Sequence, residues 1–436
     1  MYKKDIINFL FLISFSMYGI GNYISSSRSP SIGYLVSATP FLLISLFYLL
    51  DVLYKRKFTS RINGLYYIVL LFLLSGVASL VISLYKGLPD ITVATVFGRS
   101  LLVFLPFHAF VVVYVYNARS KEDFIPKLTF ISLSIFLLVN LFGYYALGLS
   151  NQGHSLEGRV NLPFFGGLYS AASVLVMMNL MLVWYMRRVW WSNPVRMFWY
   201  LVYFGINCFF VYQINSRLSM MIFVGVLLLI FLGGIRSSLV YWSSLFMIPL
   251  LLNLSLLVYE ILTLPVFASV MQRVDFDNVT SFSGRSFLWE RGLMWLLDDQ
   301  RGLLFGNGYQ GQYFLGILRE IAMLWNPDTP EKMHFHSSSL EVMVNQGLLG
   351  IGLFMVIAYK LFKRYREKFA KGRLDGIFFF VLVYLLFDLQ VSSFVYLDGY
   401  GSVIFTLLAA GVTLEKKPLE HAEKKTEDIV EMNALA

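Results

Sequence analysis

Charge is scarce in this chain. Asp, Glu, Lys and Arg make up 14% of the residues, against 58% hydrophobic and 17% aromatic. A soluble protein of 436 residues has far more charged surface to cover, so the composition excludes a soluble enzyme and selects a polytopic membrane protein. Cysteine is nearly absent: Cys208 is alone and lies inside an apolar run, which excludes disulfides and a thiolate metal site. The chain also lacks a Walker loop and H-E-x-x-H. It has no serine nucleophile elbow, and no outward cluster of His, Asp and Glu has metal-ligand spacing. No cofactor or metal is expected, and no internal repeat is visible.

Apolar runs, by contrast, are plentiful. Each membrane span needs about 20 apolar residues, and spans are predicted near 5–24, 32–54, 63–85, 92–116, 128–149, 164–186, 197–215, 218–234, 239–261, 338–359, 376–396 and 402–414. The N-terminal "MYKKDIINFLFLISFSMYGIGNYI" has two lysines before an apolar run but no clean small-residue cleavage site, so it reads as an uncleaved first helix. With the N-terminus cytoplasmic, the inner loops include "KRKFTSR" (55–61), "RSKEDFIPK" (119–127), "RRVWWSNPVR" (187–196) and "KLFKRYREKFAKGR" (360–373). Together with both termini and Arg236 they carry 24 of the 35 Lys and Arg residues. The outer segments carry 10, and Arg99 lies within a span. That bias is the positive-inside rule, so the net charge of +9 reports topology and not nucleic-acid binding. The expected architecture is all-α, with about twelve transmembrane helices and both termini cytoplasmic.

A single transmembrane domain, 1–415, is expected, followed by a mixed-charge cytoplasmic tail at 416–436. Most loops are short, but about 262–337, between the ninth and tenth spans, forms a long extracytoplasmic segment, and long loops in compact proteins are commonly functional. Within it, "SGRSFLWERGLMWLLDD" sets Phe287, Leu288, Trp295 and Leu296 among charges. This pattern predicts an amphipathic helix on the membrane surface with tryptophan at headgroup level. "FGNGYQGQYF" (305–314) follows, a Gly-rich turn that brings backbone close to a neighbour.

The outward-facing charges are the candidates for chemistry. Arg217 in "NSRLSMM" has Asn215, Ser216 and Ser219 beside it, a polar patch that suits a protein-lined cavity. Arg285 lies in "SGRSFLW". Arg291, Arg301 and Arg319 read as arginines that snorkel to headgroups. His334 and His336 close the loop in "HFHSSSLEVMVNQGLLG" (334–350). Ser337, Ser338 or Ser339 can cap the following helix, which leaves the imidazole of His336 for another task. At 3.6 residues per turn, His336, Leu340, Met343 and Gly347 share one face, with Gly347 allowing a neighbouring helix to approach closely. His336, with an ordinary pKa of about 6.5, can accept a proton at neutral pH. Glu341 and Asp388 are intramembrane carboxylates; Asp388 is expected to pair with Arg99 or another buried donor.

In this order and placement, "NSRLSMM", "SGRSFLWERGLMWLL…GLLFGNGYQGQYF" and "HFHSSSLEVMVNQGLLGIGLF" resemble the O-antigen polymerase and ligase superfamily of bacterial envelope glycan assembly, over about residues 200–355. The resemblance implies a GT-C-like, metal-independent glycosyltransferase using undecaprenyl-pyrophosphate-linked glycan donors. It assigns the motif arginine to Arg217, the loop arginine to Arg285 and the motif histidine to His336, with Gly347 at the family's histidine-to-glycine spacing. Met221 departs from the leucine often found in ligases, a conservative change in a helix. Guanidinium groups suit phosphate oxygens and replace a divalent cation in this reading. His336 is the candidate general base for a sugar hydroxyl, with His334, Arg291 and Glu341 as neighbours of the site.

The resemblance further implies the bacterial inner membrane, a periplasm-facing site, a lipid-linked glycan acceptor and contact with membrane lipid, with a chain-length regulator as candidate partner and no nucleic acid. Polymerase is the first reading and O-antigen ligase, transferring to lipid A–core, the second; a protein hydroxyl as acceptor is a third. A lipid-linked glycan transporter is the rival of another class, resting on Arg99, Glu341 and Asp388 near spans. A converged outer cavity of Arg217, Arg285 and His336 would favour transfer, and a polar mid-membrane channel transport.

Overall fold

The computed structural model describes residues 3–27, 29–55, 62–150, 159–248, 285–325, 328–392 and 399–414. The side chains of Lys55, Arg217 and Trp325 lie outside the description. The helices in chain order are α1 (Lys3–Ser27), α2 (Pro30–Lys55), α3 (Gly64–Tyr85), α4 (Val93–Tyr116), α5 (Phe124–Leu141), α6 (Leu168–Val189), α7 (Pro194–Ile214), α8 (Arg217–Phe231) and α9 (Ser238–Leu245). They continue with α10 (Arg285–Asp298), α11 (Gly311–Leu315), α12 (Arg319–Trp325), α13 (Ser338–Ala370), α14 (Phe378–Asp388) and α15 (Tyr400–Ala410). Among the described residues there is no strand, only an isolated bridge between Ile62 and Leu414. The protein is all-α.

Eight helices, α1 to α7 and α13, are long and apolar enough to cross a membrane, and Leu218–Phe231 and Tyr400–Ala410 are shorter apolar helices. The protein is therefore multi-pass. Of the predicted ninth span only the beginning is described, as α9, and residues 249–284 and 415–436 lie outside the described residues.

Local sequence sets the helix starts. Asn63, Thr92 and Asn193 accept backbone N–H groups of the first turns of α3, α4 and α7 through their side chains, satisfying donors that a helix start leaves open. Small residues bring α1 and α2 together: a Cβ on Gly21 would lie 2.5 Å from the Gly33 carbonyl oxygen, the close approach that membrane helices use in place of a hydrophobic drive. Tyr400 of α15 is wedged among Phe15, Phe136 and Phe165 and donates its hydroxyl to the Phe15 and Phe164 carbonyls. This ties α1, α5 and the segment before α6 to α15. At the other end of the bundle, Asn63 donates to the Thr413 and Val412 carbonyls.

Helix α13, broken at Gly347, runs on to Ala370, about 35 Å beyond the break at 1.5 Å per residue, against a hydrocarbon core of about 30 Å. The loop predicted from 360 to 373 is thus mostly a helical extension. Its cations fold back on aromatic rings and carboxylates: Lys368 pairs with Asp375 at 3.0 Å and Arg366 lies over the Phe362 ring.

Residues 285–325 pack against the bundle instead of lying on it. Trp289 and Trp295 of α10 are 0% and 3% exposed, so the expected tryptophan at headgroup level is corrected: both indoles turn inward. Trp289 donates its indole N–H to the Phe335 carbonyl at 3.1 Å, while Phe287, Met294 and Leu297 are the apolar residues left on the outside. Burying the two indoles gains more than displaying them, because each carries a large apolar surface.

Candidate active site

The Gly-rich turn explains the shape of the site. It enters a break in α13 at Gly347, which has φ 69° and ψ −166°. Such a break frees carbonyls before it and N–H groups after it, and both need partners inside a membrane. The turn supplies them: Asn307 and Gly308 donate backbone N–H to the Val344 and Asn345 carbonyls, and Leu348 and Leu349 donate to the Leu303 and Leu304 carbonyls. Its far side is held by α3, where Tyr309 donates its N–H to the Ser79 carbonyl and Ser83 donates its hydroxyl to the Tyr309 carbonyl. Gly347 was expected to admit a neighbouring helix along an unbroken face; it instead bends the helix and admits the turn. A Cβ there would lie 2.5 Å from Gly306 N and from the Leu304 carbonyl.

His336 also departs from the helical-face expectation. It precedes α13 with φ 51°, and Ser337 is the N-cap, its hydroxyl accepting the Leu340 N–H at 3.4 Å. The turn of chain holding the histidines is fixed from both sides. Phe335 donates its N–H to Glu341 Oε1 at 2.7 Å, and its carbonyl takes the Trp289 indole. Glu341 Oε2 accepts from Asn345, whose Oδ1 accepts the Gly311 N–H. One carboxylate thus links the histidine segment to the broken helix and the Gly-rich turn.

Around this segment the charged groups converge. Arg285, 4% exposed, donates to the Val391 carbonyl at 3.1 Å, and its guanidinium lies 4.6 Å above the Tyr169 ring. The Tyr169 and His336 ring centres are 6.5 Å apart, and those of His336 and His334 are 4.1 Å apart. Beneath lies Asp388. It accepts hydroxyls from Ser173 at 2.9 Å, Ser392 at 3.3 Å and Tyr384 at 3.4 Å, and its charge acts on Arg285. The expected pairing of Asp388 is thus with buried hydroxyl donors, while Arg99 lies over the Tyr309 ring and donates toward Tyr34. Ser338 donates backbone and hydroxyl to the Ser392 carbonyl, locking the start of α13 to the end of α14.

Arg285 is held below its ordinary pKa by burial, opposed by Tyr169 and Asp388; so high a starting value leaves it charged. Half-buried His334 is lowered first by removal from water and then by the Arg285 charge, against a contact with the Lys332 carbonyl. That contact, 3.1 Å from Nδ1, uses Nδ1 as donor, since a carbonyl only accepts. Neutral His334 then presents an unprotonated Nε2.

The structure brings Arg285, His334, His336 and Glu341 together. The Arg217 side chain lies outside the description, but its helix start touches the same cluster: Ser216 and Ser219 hydroxyls are 2.9 Å apart, and Ser219 hydrogen-bonds Tyr384. Arg291 stands apart, paired with Glu320 at 2.9 Å on the surface, and Arg301 pairs with Asp299. Both therefore meet carboxylates where headgroups were expected. Sequence reasoning missed Tyr169, one tyrosine among 27; its only local signal is the pair Gly166-Gly167, both with positive φ, that opens α6. Among the described residues no group of His, Cys, Asp and Glu is arranged to hold a metal. Residues 202–355 match the family model described as O-Antigen ligase; no curated protein matches the chain.

Proposed function

From the match of residues 202–355 to the family model described as O-Antigen ligase, we propose that the protein is a membrane glycosyltransferase of the O-antigen polymerase and ligase kind that transfers a glycan from a polyprenyl-pyrophosphate donor to a sugar hydroxyl. The observation that carries this reading is the buried Arg285 guanidinium stacked on Tyr169 beside the His334–His336 pair. A fixed, permanently charged guanidinium suits the oxygens of a leaving pyrophosphate, and an adjacent neutral imidazole suits a hydroxyl that must lose a proton.

In the proposed step the acceptor hydroxyl oxygen attacks the anomeric carbon and its proton passes to an imidazole. The bond between the anomeric carbon and the pyrophosphate oxygen breaks, and the charge that develops is met by Arg285, with Arg217 as second guanidinium. His336 is the assigned base. His334, with Nε2 unprotonated, is placed to share that task or to orient its neighbour. The site faces the periplasm, with both termini in the cytoplasm of a bacterial inner membrane. The first reading is a polymerase whose acceptor is a lipid-linked repeat unit. The second, an O-antigen ligase acting on lipid A–core, draws on the description of the matched family. A transporter is the rival reading; the cavity bounded by α1, α3, α4, α13 and α15 has a mostly apolar wall, which does not suit a polar path.

The test expresses wild type and His336→Ala, Arg217→Ala and Arg285→Ala in a strain lacking the native gene, with each variant confirmed in the membrane. Core-linked and polyprenyl-linked glycans are then visualised. Variants that leave core bearing a single repeat unit identify a polymerase; long chains retained on polyprenyl with bare core identify a ligase. Wild-type glycan from all three variants would sink the transferase site.

A further inference from the structure

Helix α13 fixes how deep the Gly-rich turn lies. Between Glu341 and Lys360 it carries no charged residue, and Lys360 opens the run of cations at its far end. Leu348 stands twelve residues before Lys360, about 18 Å along the axis at 1.5 Å per residue. Against a hydrocarbon core of about 30 Å, Leu348 therefore lies about 12 Å inside the opposite boundary, and any tilt of the helix takes it deeper. Leu348 and Leu349 donate their N–H groups to the Leu303 and Leu304 carbonyls at 2.7 and 3.1 Å, so residues 303 and 304 share that depth. Helix α3 gives the same reading independently. Tyr309 donates to the Ser79 carbonyl, and Ser79 lies six residues before the end of α3 at Tyr85, about 9 Å inside it.

The turn is built for that depth. Non-helical backbone is tolerated inside a bilayer only where protein surrounds and bonds it, whereas in water such groups can bond solvent instead. Here the carbonyls of four successive residues accept. Arg301 accepts from the Asn307 side chain at 2.8 Å, Gly302 from the Gly306 N–H at 2.7 Å, and Leu303 and Leu304 from α13. Leu303, Gly306, Asn307, Gly308 and Tyr309 in turn donate their N–H groups to backbone carbonyls. Gly306 and Gly308 let this backbone press on its neighbours: a Cβ would lie 2.1 Å from the Asn345 carbonyl oxygen and 2.6 Å from the Ser83 hydroxyl. The apolar side chains stay outside, with Leu304 and Phe305 61% and 72% exposed. They continue the outward stripe of α13, where Leu348, Leu349, Met355, Val356 and Tyr359 are also exposed and recur at helical spacing.

We propose that the Gly-rich turn is a re-entrant element whose Leu304 and Phe305 side chains are covered by the acyl chains of the leaflet on the N-terminal side of α13. Three observations carry this: the depth set by α13 and α3, the bonded backbone, and the continuity of the patch with a stripe that a membrane-crossing helix turns to lipid. The Arg301–Asp299 pair just before the patch fits as well, since charges close to hydrocarbon are kept by pairing. The leaflet thereby holds the element on which the histidine segment rests. Gly311, after the turn, donates to Asn345, and Asn345 donates to Glu341. The inference does not depend on glycan transfer.

The test uses the full chain in nanodiscs with its single cysteine removed by Cys208→Ala. New cysteines enter one at a time: Leu304→Cys, Phe305→Cys, Leu349→Cys on the stripe of α13, and Glu320→Cys on the exposed outer surface. Each carries a nitroxide label, and its relaxation by oxygen, which concentrates in the bilayer, is compared with that by a water-soluble nickel chelate. Labels at 304 and 305 should follow the one at 349, with strong oxygen relaxation and loss of the nickel effect, while 320 shows the reverse. Nickel access at 304 and 305 equal to that at 320 overturns the proposal and puts the turn in a water-filled crevice. Protection from both reagents overturns it too, because protein such as a second copy then covers the patch. A second measurement needs no substitution. On the wild-type chain, a phosphatidylcholine with a diazirine in its tail should leave adducts on Leu304 and Phe305 as dense as those on Met355 and Val356. Adducts on α13 with none on the turn overturn the proposal even if the cysteine variants do not fold.

Discussion

Glu341 Oε1 accepts the Phe335 N–H at 2.7 Å, and Phe335 is the residue between the two histidines. A carboxylate six positions along the chain therefore sets the backbone on which both imidazoles hang. Its other oxygen is held by Asn345, which in turn holds Gly311. Buried polar networks of this kind are specific when every member is satisfied and costly when one is removed.

Glu341→Ala should therefore destabilise the protein by about 1–3 kcal/mol, the cost of stranding buried donors. Glu341→Gln should fall between Ala and wild type, because an amide can accept from Phe335 but sets N–H against N–H at Asn345. Thermal unfolding in detergent, compared across the three proteins, decides the matter. Equal melting temperatures would remove Glu341 from any positioning role.

Gly347→Ala meets two obstacles, a φ of 69° and backbone of Leu304 and Gly306 at 2.5 Å from the new Cβ. Strained backbone alone costs of order 1–3 kcal/mol. The Gly-rich turn should detach from α13, and amide hydrogen exchange at residues 303–309 should rise well before global unfolding. Unchanged protection would mean the break survives a side chain.

The stack of Arg285 on Tyr169 is testable by shape. Tyr169→Leu removes the ring under the guanidinium, an interaction of about 0.5–2 kcal/mol, whereas Tyr169→Phe keeps the ring and loses only the hydroxyl. If Arg285 acts on pyrophosphate, glycan output should fall in the order wild type, Phe, Leu, with Arg285→Lys also impaired because an ammonium lacks the planar fork. Output that ignores the ring would place Tyr169 outside the site.

The sequence made some of this legible. Eight of the predicted spans could be read because hydropathy is a local quantity. The break at Gly347 could not. A glycine in an apolar helix reads as a small packing residue, and only the partners in the turn at 303–308, far off in sequence, convert it to a bend. Trp289 and Trp295 failed for a related reason: an amphipathic pattern gives the two faces of a helix but not which one meets protein. Tyr169 and Asp388 reach the cluster from α6 and α14, outside the matched stretch 202–355; the sequence marks Asp388 as a buried carboxylate and Tyr169 by the Gly166-Gly167 pair before it, but names no partner for either.

The pH dependence of His334 follows from its surroundings. Removal from water and the Arg285 charge both hold its pKa below the ordinary value, which is about 6.5. The folded protein therefore binds this proton less readily than the unfolded chain. His334 thus leaves stability intact above about 6.5, reduces it as pH falls below that value, and adds no further loss below the folded pKa. Site-resolved modification by diethylpyrocarbonate, which attacks neutral imidazole, reads the titration directly without requiring transfer activity. The midpoint at His334 should lie below about 6.5 in the wild type and in Arg285→Lys. It should rise part of the way in Arg285→Gln, because burial remains when the charge is gone. A wild-type midpoint at or above the ordinary value, or one that Arg285→Gln leaves in place, would show that the guanidinium does not act on the imidazole and would separate the two halves of the proposed site.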